Sequence, residues 1–445
     1  MLNYIWLALV LLAVAIGGWN DRLPEVTAGA FDGAKTAVTI ALGLIGVMAL
    51  WLGVMRLAER AGLVQRIARG LRPVMRRLFP DVPPEHPAMG SMLMNMAANM
   101  LGLGNAATPL GLRAMRDLER LNPRPGVASN AMCTFLAINT ASVQLIPATA
   151  IALLAAAGSV RPTAIVGTAL LATLCAATVA ITAAKILEKL PFFRLPNAVS
   201  LRSETDLVGR DSVEPAAEIS DDVVAPEPRG WLRLLPFVLT LFFIALFVRM
   251  VFPALFNFPA DPNTATQGPF VRSVNALSLL AIPFLLSFFP IYAATRRVKV
   301  YEEFVEGAKE GFGVILKIIP FLVAMLVAIG MFKGAGGIDI LTRALTPVLA
   351  PLHFPTDLLP LALMRPLSGS ATLAILTDII HRLGPDNIVS VMAATIYGST
   401  ETTFYVAAVY FGSVSVKQTR HAIPAGLLGD LAGVIASVAI CRAVF

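Results

Sequence analysis

Apolar stretches long enough to cross a bilayer recur along the chain, at Leu2–Gly18, Lys35–Leu57, Ser129–Ala157, Pro162–Lys185, Leu232–Val251, Val271–Ala293, Gly311–Phe332, Asn387–Phe411 and Ala422–Val438. A hydrocarbon core about 30 Å thick needs roughly 20 apolar residues in helical form, so each stretch reads as a transmembrane helix. Two further stretches are apolar but interrupted. His86–Leu112 carries Gly90, Gly102, Gly104, Pro109 and Gly111, and Thr356–Ile380 carries Pro360, Pro366 and Gly369. The pattern gives way at 196–230, rich in Asp, Glu, Ser and Pro, which reads as a polar cytoplasmic linker.

The order of features before the linker repeats after it. Phe31-Asp32-Gly33-Ala34-Lys35 has a counterpart in Val305-Glu306-Gly307-Ala308-Lys309. At the same offset Gly62 meets Gly336 and Pro73 meets Pro347, and Phe79-Pro80 then faces Phe354-Pro355, one residue out of step. An interrupted apolar stretch follows in each half, then a helix with a polar run inside it: Asn139-Thr140-Ala141-Ser142 and Ser399-Thr400-Glu401-Thr402. Each continues through Gly-Ser-Val into a last helix. One shared tripeptide means nothing; the same features in the same order indicate a duplication, with halves at 1–195 and 231–445.

Lysine and arginine placement orients the chain, because cytoplasmic loops concentrate them. Seven arginines lie in 56–77 (Arg56, Arg60, Arg66, Arg69, Arg72, Arg76 and Arg77), which reads as an amphipathic helix on the cytoplasmic membrane surface. Arg113–Arg124 is basic too. Both flanks of His86–Leu112 then face the same side, which a full span cannot do and a re-entrant hairpin can. Treating Thr356–Ile380 alike gives the expected fold: all-α and polytopic, about nine transmembrane helices plus two re-entrant hairpins, in two inverted repeats. The N-terminus is expected inside and the C-terminus outside, with Asn20–Ala34 and Pro253–Pro269 as outer loops. Inverted repeats with broken helices near the midplane are a recurring transporter architecture.

Composition agrees. Of 445 residues, 57% are hydrophobic and 14% charged, with mean hydropathy +0.75, against about 25% charged in soluble domains. The net charge of +7 sits in loops beside apolar spans and is not a nucleic-acid signature. Cys133, Cys175 and Cys441 lack disulfide or metal spacing. The first apolar stretch has no basic run before it and no small-residue cleavage site after it, so it reads as a retained helix.

The polar residues inside apolar stretches carry the candidate chemistry. In Asn95–Gly111, Asn95, Asn99 and Asn105 would need partners inside hydrocarbon. Two half-helices with a turn near Gly102–Asn105, tip at mid-membrane, satisfy them and present free backbone groups to a solute. Gly104, Asn105 and Thr108 would line that tip. The alternative is a close-packing motif, with glycines for helix contact and Asn as interhelical glue. The matching stretch holds Arg365, Ser368 and Ser370. A buried Arg usually faces a cavity or a partner. Its candidate partner is Glu401, the one carboxylate in its span, flanked by Ser399 and Thr402. Glu401 could take up a proton, ligate Na⁺, or neutralise Arg365. Asn139, Thr140 and Gln144 hold the equivalent position in the first half, and Pro147 after them indicates local unwinding. Asp378 and Asp430 are weaker candidates, with Arg420 or His421 as the natural partner for Asp430. No HExxH, GxSxG or Walker A pattern occurs, and no enzyme is expected.

Asn95–Gly111, with Arg113-Ala114-Met115 and Leu121-Asn122, closely resembles spore maturation protein A. Tyr410-Phe411-Gly412-Ser413-Val414 through Lys417, Thr419-Arg420-His421 and Pro424-Ala425-Gly426-Leu427 resembles spore maturation protein B, as does Arg365–Ala371. The chain looks like a fusion of the two. That resemblance implies a nucleoside recognition, or gate, domain in each half, distantly similar to part of the concentrative nucleoside transporters.

The expected function is secondary transport or export of a small polar or lipid-like amphiphilic solute in the bacterial cytoplasmic (inner) membrane. Its site would lie between the hairpin tips, with no cofactor beyond H⁺ or Na⁺ as a coupling ion and Glu401 as the coupling residue. The bilayer itself is a partner, with anionic lipids at 56–77 and a homo-oligomer also in view. The alternative is a non-transporting scaffold or sensor in cell-envelope maturation.

Overall fold

A computed structural model of the chain describes residues 2–102, 104–193, 234–253, 267–337, 340, 343 and 354–445. The linker 196–230, Pro347 and most of the loop Pro253–Pro269 lie outside the described residues. Sixteen helices run through the described part. The first half holds α1 (Leu2–Trp19), α2 (Leu23–Arg60), α3 (Leu63–Leu78), α4 (Pro87–Met100), α5 (Gly104–Arg120), α6 (Asn130–Ala141), α7 (Ala148–Ala156) and α8 (Ile165–Leu187). The second holds α9 (Leu234–Val251), α10 (Pro269–Thr295), α11 (Val300–Gly334), α12 (Leu359–Met364), α13 (Gly369–Leu383), α14 (Ile388–Ser399), α15 (Thr403–Gly412) and α16 (Ala422–Val444). The only β-contact among the described residues is an isolated bridge between Val127 and Gln418.

Five helical segments are long and apolar enough to cross a membrane: Leu23–Arg60, Pro162–Leu187, Leu234–Val251, Pro269–Thr295 and Ala422–Val444. Trp6–Trp19 and Leu322–Gly334 are shorter and apolar. The chain is an all-α, multi-pass membrane protein.

Three expectations change. Asn20–Ala34 is not a loop: α2 starts at Leu23, and only a tight turn separates it from α1. At 38 residues α2 is roughly 57 Å long, well beyond a hydrocarbon core. Ser129–Ala157 and Asn387–Phe411 are not continuous spans either. Each divides into two short helices, α6 with α7 and α14 with α15. Ser142 ends α6 in a left-handed conformation, φ 34°, and Pro147, which has no N–H to donate, precedes α7. Thr400 ends α14 in an extended conformation. Finally, 56–77 is not one surface helix. Arg56 and Arg60 belong to α2, where Arg56 pairs with Glu303 at 2.8 Å and Glu310 at 2.7 Å, and Arg60 with Glu303 at 3.3 Å. In α3, Arg72 and Arg76 reach Glu85, and Arg66 lies over the Tyr292 ring. Much of the charge expected to face anionic lipid is answered within the fold.

The matching helices α2 and α11 run antiparallel along a seam of small residues. Gly334 lies against Glu25, Gly330 against Gly29, Gly33 against Leu326, Gly311 against Ala49 and Gly307 against Gly53. Residue numbers rise on one helix as they fall on the other. Both helices end at a glycine in the left-handed region, Gly62 with φ 75° and Gly336 with φ 83°. The central contacts also exchange under the correspondence. Helix α6 packs on α15 and α16, as α14 packs on α7 and α8, and α8 packs on α16.

Candidate functional site

The two broken helices meet at their breaks. The Glu401 N–H donates to the Thr140 carbonyl at 2.7 Å, joining the break of the second half to the end of α6 in the first. Beside them stand the two interrupted stretches. Helices α4 and α5 form a helical hairpin around Gly102, φ 74°, and the Leu145 N–H donates to the Met100 carbonyl at 3.0 Å, tying that tip to the first break. On the other side Ser368 caps α13 by accepting from the Ala371 N–H, while the Phe404 N–H donates to the Pro366 carbonyl at 3.0 Å. Each interrupted stretch is thus bonded to the break in its own half, and the two breaks to each other.

A polar network runs through the first half of this centre. Asn99 Nδ2 donates to Asn139 Oδ1 at 2.9 Å, and Asn139 Nδ2 donates back to the Phe135 carbonyl. The Tyr410 hydroxyl, from α15, also reaches Asn139 Oδ1, at 3.3 Å. Asn95 Nδ2 bonds the Ala107 carbonyl at 2.8 Å and the Tyr410 hydroxyl at 3.3 Å. Amide N–H groups that would be costly alone in hydrocarbon are satisfied by one another and by the backbone, whereas Asn95 Oδ1 is buried with no partner among the described residues. Asn139 is therefore fixed from within the protein at both ends, which favours the interhelical-glue reading for it, while Asn95 is held through its Nδ2 alone. Thr108 is part-buried on α5; Leu103, the burial of Gly104 and the Asn105 side chain lie outside what is described.

The second half carries the charge. Arg365 is 3% exposed, its Nη2 donating to the Tyr397 carbonyl at 2.9 Å and its Nη1 to the Thr402 hydroxyl at 3.4 Å. Its guanidinium lies 4.9 Å from the Tyr397 ring centre, within cation–π range. Glu401 Oε2 stands 3.9 Å from Arg365 Nη2, at the outer edge of an ion pair, and Oε1 accepts from Gln144 Nε2 at 3.0 Å. The Glu401 side chain is 39% exposed, although Thr140, Ser399, Thr402 and Arg365 around it are buried. Gln144, Gly369 and Ser370 are part-exposed as well, and Ser368 and Ser370 lie 3.3 Å apart. Glu401, Gln144 and Ser370 thus leave the junction of the breaks open to the outside of the fold.

The model of the nucleoside recognition gate family matches residues 41–157 and 315–417. Over 174 residues the chain is 48% identical to spore maturation protein A of Bacillus subtilis (strain 168), covering 39% of this chain and 89% of that protein. Over 172 residues it is 44% identical to spore maturation protein B of the same strain, covering 39% of this chain and 97% of that protein. The chain belongs to the spore maturation protein family. Each gate match contains one interrupted stretch and one broken helix, so the family match covers the bonded centre.

Against that frame of helices, most of the sequence-picked residues come together: Asn95, Asn99, Asn139, Thr140, Gln144, Arg365, Ser368, Ser370, Ser399, Glu401 and Thr402 all lie at or beside the two breaks. Two expected pairings do not form. Arg420 bonds the Ala128 and Phe193 carbonyls and Asn130, and Asp430 bonds the Thr403 hydroxyl at 2.7 Å, not His421 or Arg420. Asp378 is held by Lys333 at 3.9 Å and Arg382 at 3.5 Å, away from the breaks. Tyr410 was not picked from sequence. A tyrosine closing an apolar run resembles an interfacial aromatic, and nothing local signals an asparagine 315 positions away. A separate cleft of about 290 Å³ lies against Arg161, Gln267, Asn275 and Asp386. There the Ser159 hydroxyl and Val160 N–H hold the Asp386 carboxyl below the usual carboxylate range.

Proposed function

We propose that this chain is a secondary transporter or exporter of a small polar or amphiphilic solute, bound where the two breaks meet the two hairpins. The reading rests on one observation above all: Glu401 is part-exposed amid buried polar neighbours where the two broken helices meet. Discontinuous helices leave unpaired backbone groups where a solute can bind, and inverted repeats supply the two packings that alternating access needs. Ser370, Gln144, Thr402 and Glu401 offer hydroxyl, amide and carboxylate contacts, and Arg365 supplies positive charge behind them. The match to the nucleoside recognition gate family fits a role of this class. We place the protein in the bacterial inner membrane as an A-type and a B-type half fused through 196–230, acting without chemical catalysis. The scaffold reading finds less support, because Arg56, Arg60, Arg72 and Arg76 of its proposed docking surface already pair with carboxylates of this chain.

The test has two steps. Untargeted comparison of metabolites and lipids between a deletion strain and its complement identifies the solute that accumulates or disappears. Uptake or efflux of that solute is then measured in proteoliposomes with wild type and Glu401→Gln. The expected result is transport by wild type and at least a tenfold loss in the variant, with thermal stability kept. Equal transport by the two proteins would remove Glu401 from the site, and no movement by wild type would remove the transport reading.

A further inference from the structure

Asp430 sits in the middle of α16, 4% exposed, in a segment long and apolar enough to span the membrane. One carboxylate oxygen accepts from the Thr403 hydroxyl at 2.7 Å. The other, Oδ1, is fully buried and has no hydrogen-bond partner among the described residues. The buried Thr400 hydroxyl faces the same carboxylate, within reach of a long hydrogen bond to it. A buried carboxylate oxygen without a well-formed hydrogen bond is an expensive arrangement in hydrocarbon unless something binds there. Around them are more oxygens. Gly433, one turn further along α16, packs on Thr400 and Ser399, and Gly426, one turn before Asp430, packs on Thr403 and Thr140. Ser437 reaches the Ser399 hydroxyl at 3.4 Å. The glycines let α16 press directly against both breaks, so the carboxylate lies behind the opening that Glu401 borders.

The charged groups that face Asp430 are Arg365 and Glu401, one of each sign, and neither forms an ion pair with it. Once ionised, Asp430 therefore leaves one uncompensated negative charge in an all-oxygen, water-poor setting. No nitrogen or sulfur ligand contributes, which disfavours zinc and other soft metals, and a single carboxylate does not match the two charges of a calcium ion. We propose that Asp430, with the Thr400 and Thr403 hydroxyls, binds a Na⁺ ion at the crossing of the two broken helices. A bound ion would tie α16 to the break between α14 and α15, and so hold the Glu401 side of the opening in one arrangement. This deepens the transport reading by assigning the coupling ion to Asp430 in place of Glu401. The site itself stands on the surroundings of the carboxylate, whether or not solute moves.

The experiment uses the full chain in nanodiscs without solute, so it can fail while transport succeeds, and the reverse. Thermal unfolding is followed while NaCl replaces choline chloride at constant ionic strength and fixed pH. A ligand that binds only the folded state raises the midpoint with its concentration. Wild type is expected to gain several degrees in Na⁺ and none in choline, and Asp430→Asn to lose that gain. Should Asp430→Asn fail to fold, Thr400→Val keeps the charge while removing a ligand, and is expected to need about tenfold more Na⁺ for the same gain. A wild-type midpoint indifferent to Na⁺ would overturn the proposal. So would a midpoint that follows pH alone, since the carboxylate would then hold a proton, and so would a full Na⁺ response in both variants.

Discussion

Tyr410 binds the first half of the centre through a single hydroxyl, and the fit around it is close. Gly111 faces that ring so tightly that a Cβ would overlap both the hydroxyl and the ring carbon bearing it, with Asn95 Nδ2 at 2.9 Å. Gly111→Ala should lower stability by about 1–3 kcal/mol, the usual range for overpacking a filled site. Tyr410→Phe alone should cost about 1 kcal/mol, because Asn95 keeps its bond to the Ala107 carbonyl. The double variant tells strain from a lost hydrogen bond. The ring carbon still meets the new methyl, so Tyr410→Phe should not rescue Gly111→Ala. Chemical or thermal unfolding in one detergent checks all three, and rescue would show that the hydroxyl alone made the clash. At this scale the sequence disclosed groups that are costly by themselves. An asparagine, arginine or glutamate inside an apolar run demands a partner wherever the chain folds, so Asn99, Asn139, Arg365 and Glu401 stood out. Partners chosen by proximity in sequence failed. Asp430 lies nine residues from His421, about 13 Å of helix, whereas Thr403 is brought to it by folding.

Helix pairing in this chain depends on where glycines allow backbones to touch. Along α2 and α11 the glycines of one helix meet the backbone of the other, a mode of association suited to lipid, where burying apolar surface gives little driving force. A methyl at Gly330 would overlap the Gly29 carbonyl, whereas Gly46, also on α2, faces open space. Gly330→Ala should therefore lower the unfolding midpoint, despite the better helix propensity of alanine. Gly46→Ala should leave it unchanged or raise it slightly. A lower midpoint for both would mean that the seam is not what the glycines serve. Glycine and proline inside the interrupted stretches made the hairpin reading available from sequence. The breaks in Ser129–Ala157 and Asn387–Phe411 were harder to see, because only Pro147 marks the first, and the second has no glycine or proline between Thr400 and Thr403. There the chain leaves the helix by way of contacts from the other half, including the bond from the Glu401 N–H to the Thr140 carbonyl. Such contacts have no local signature.

At the scale of the whole molecule, antiparallel packing of two corresponding helices is what an inverted duplication requires. Two parallel copies side by side would bring α2 and α11 together in the same direction. The order of matching features was readable because duplication copies order, but inversion had to be inferred from counting spans, and that count depends on the hairpins making no net crossing. Site-directed labelling decides it. Cys175 is the exposed native cysteine among the described residues, and Cys133 and Cys441 are buried, so a Cys175→Ser background should be nearly silent to an impermeant maleimide. On that background Glu85→Cys, ahead of α4, and Arg116→Cys, near the end of α5, should label from the same face of sealed vesicles. Labelling from opposite faces would make α4 and α5 a full crossing. The second gate stretch would then share the orientation of the first, and the paired hairpins would no longer approach a common centre from opposite sides. Alternating access would lose its two exchangeable packings, although Arg365 and Glu401 would still be held beside the same opening. Agreement would instead leave the breaks as the place where the two halves, related by inversion, hold one site between them.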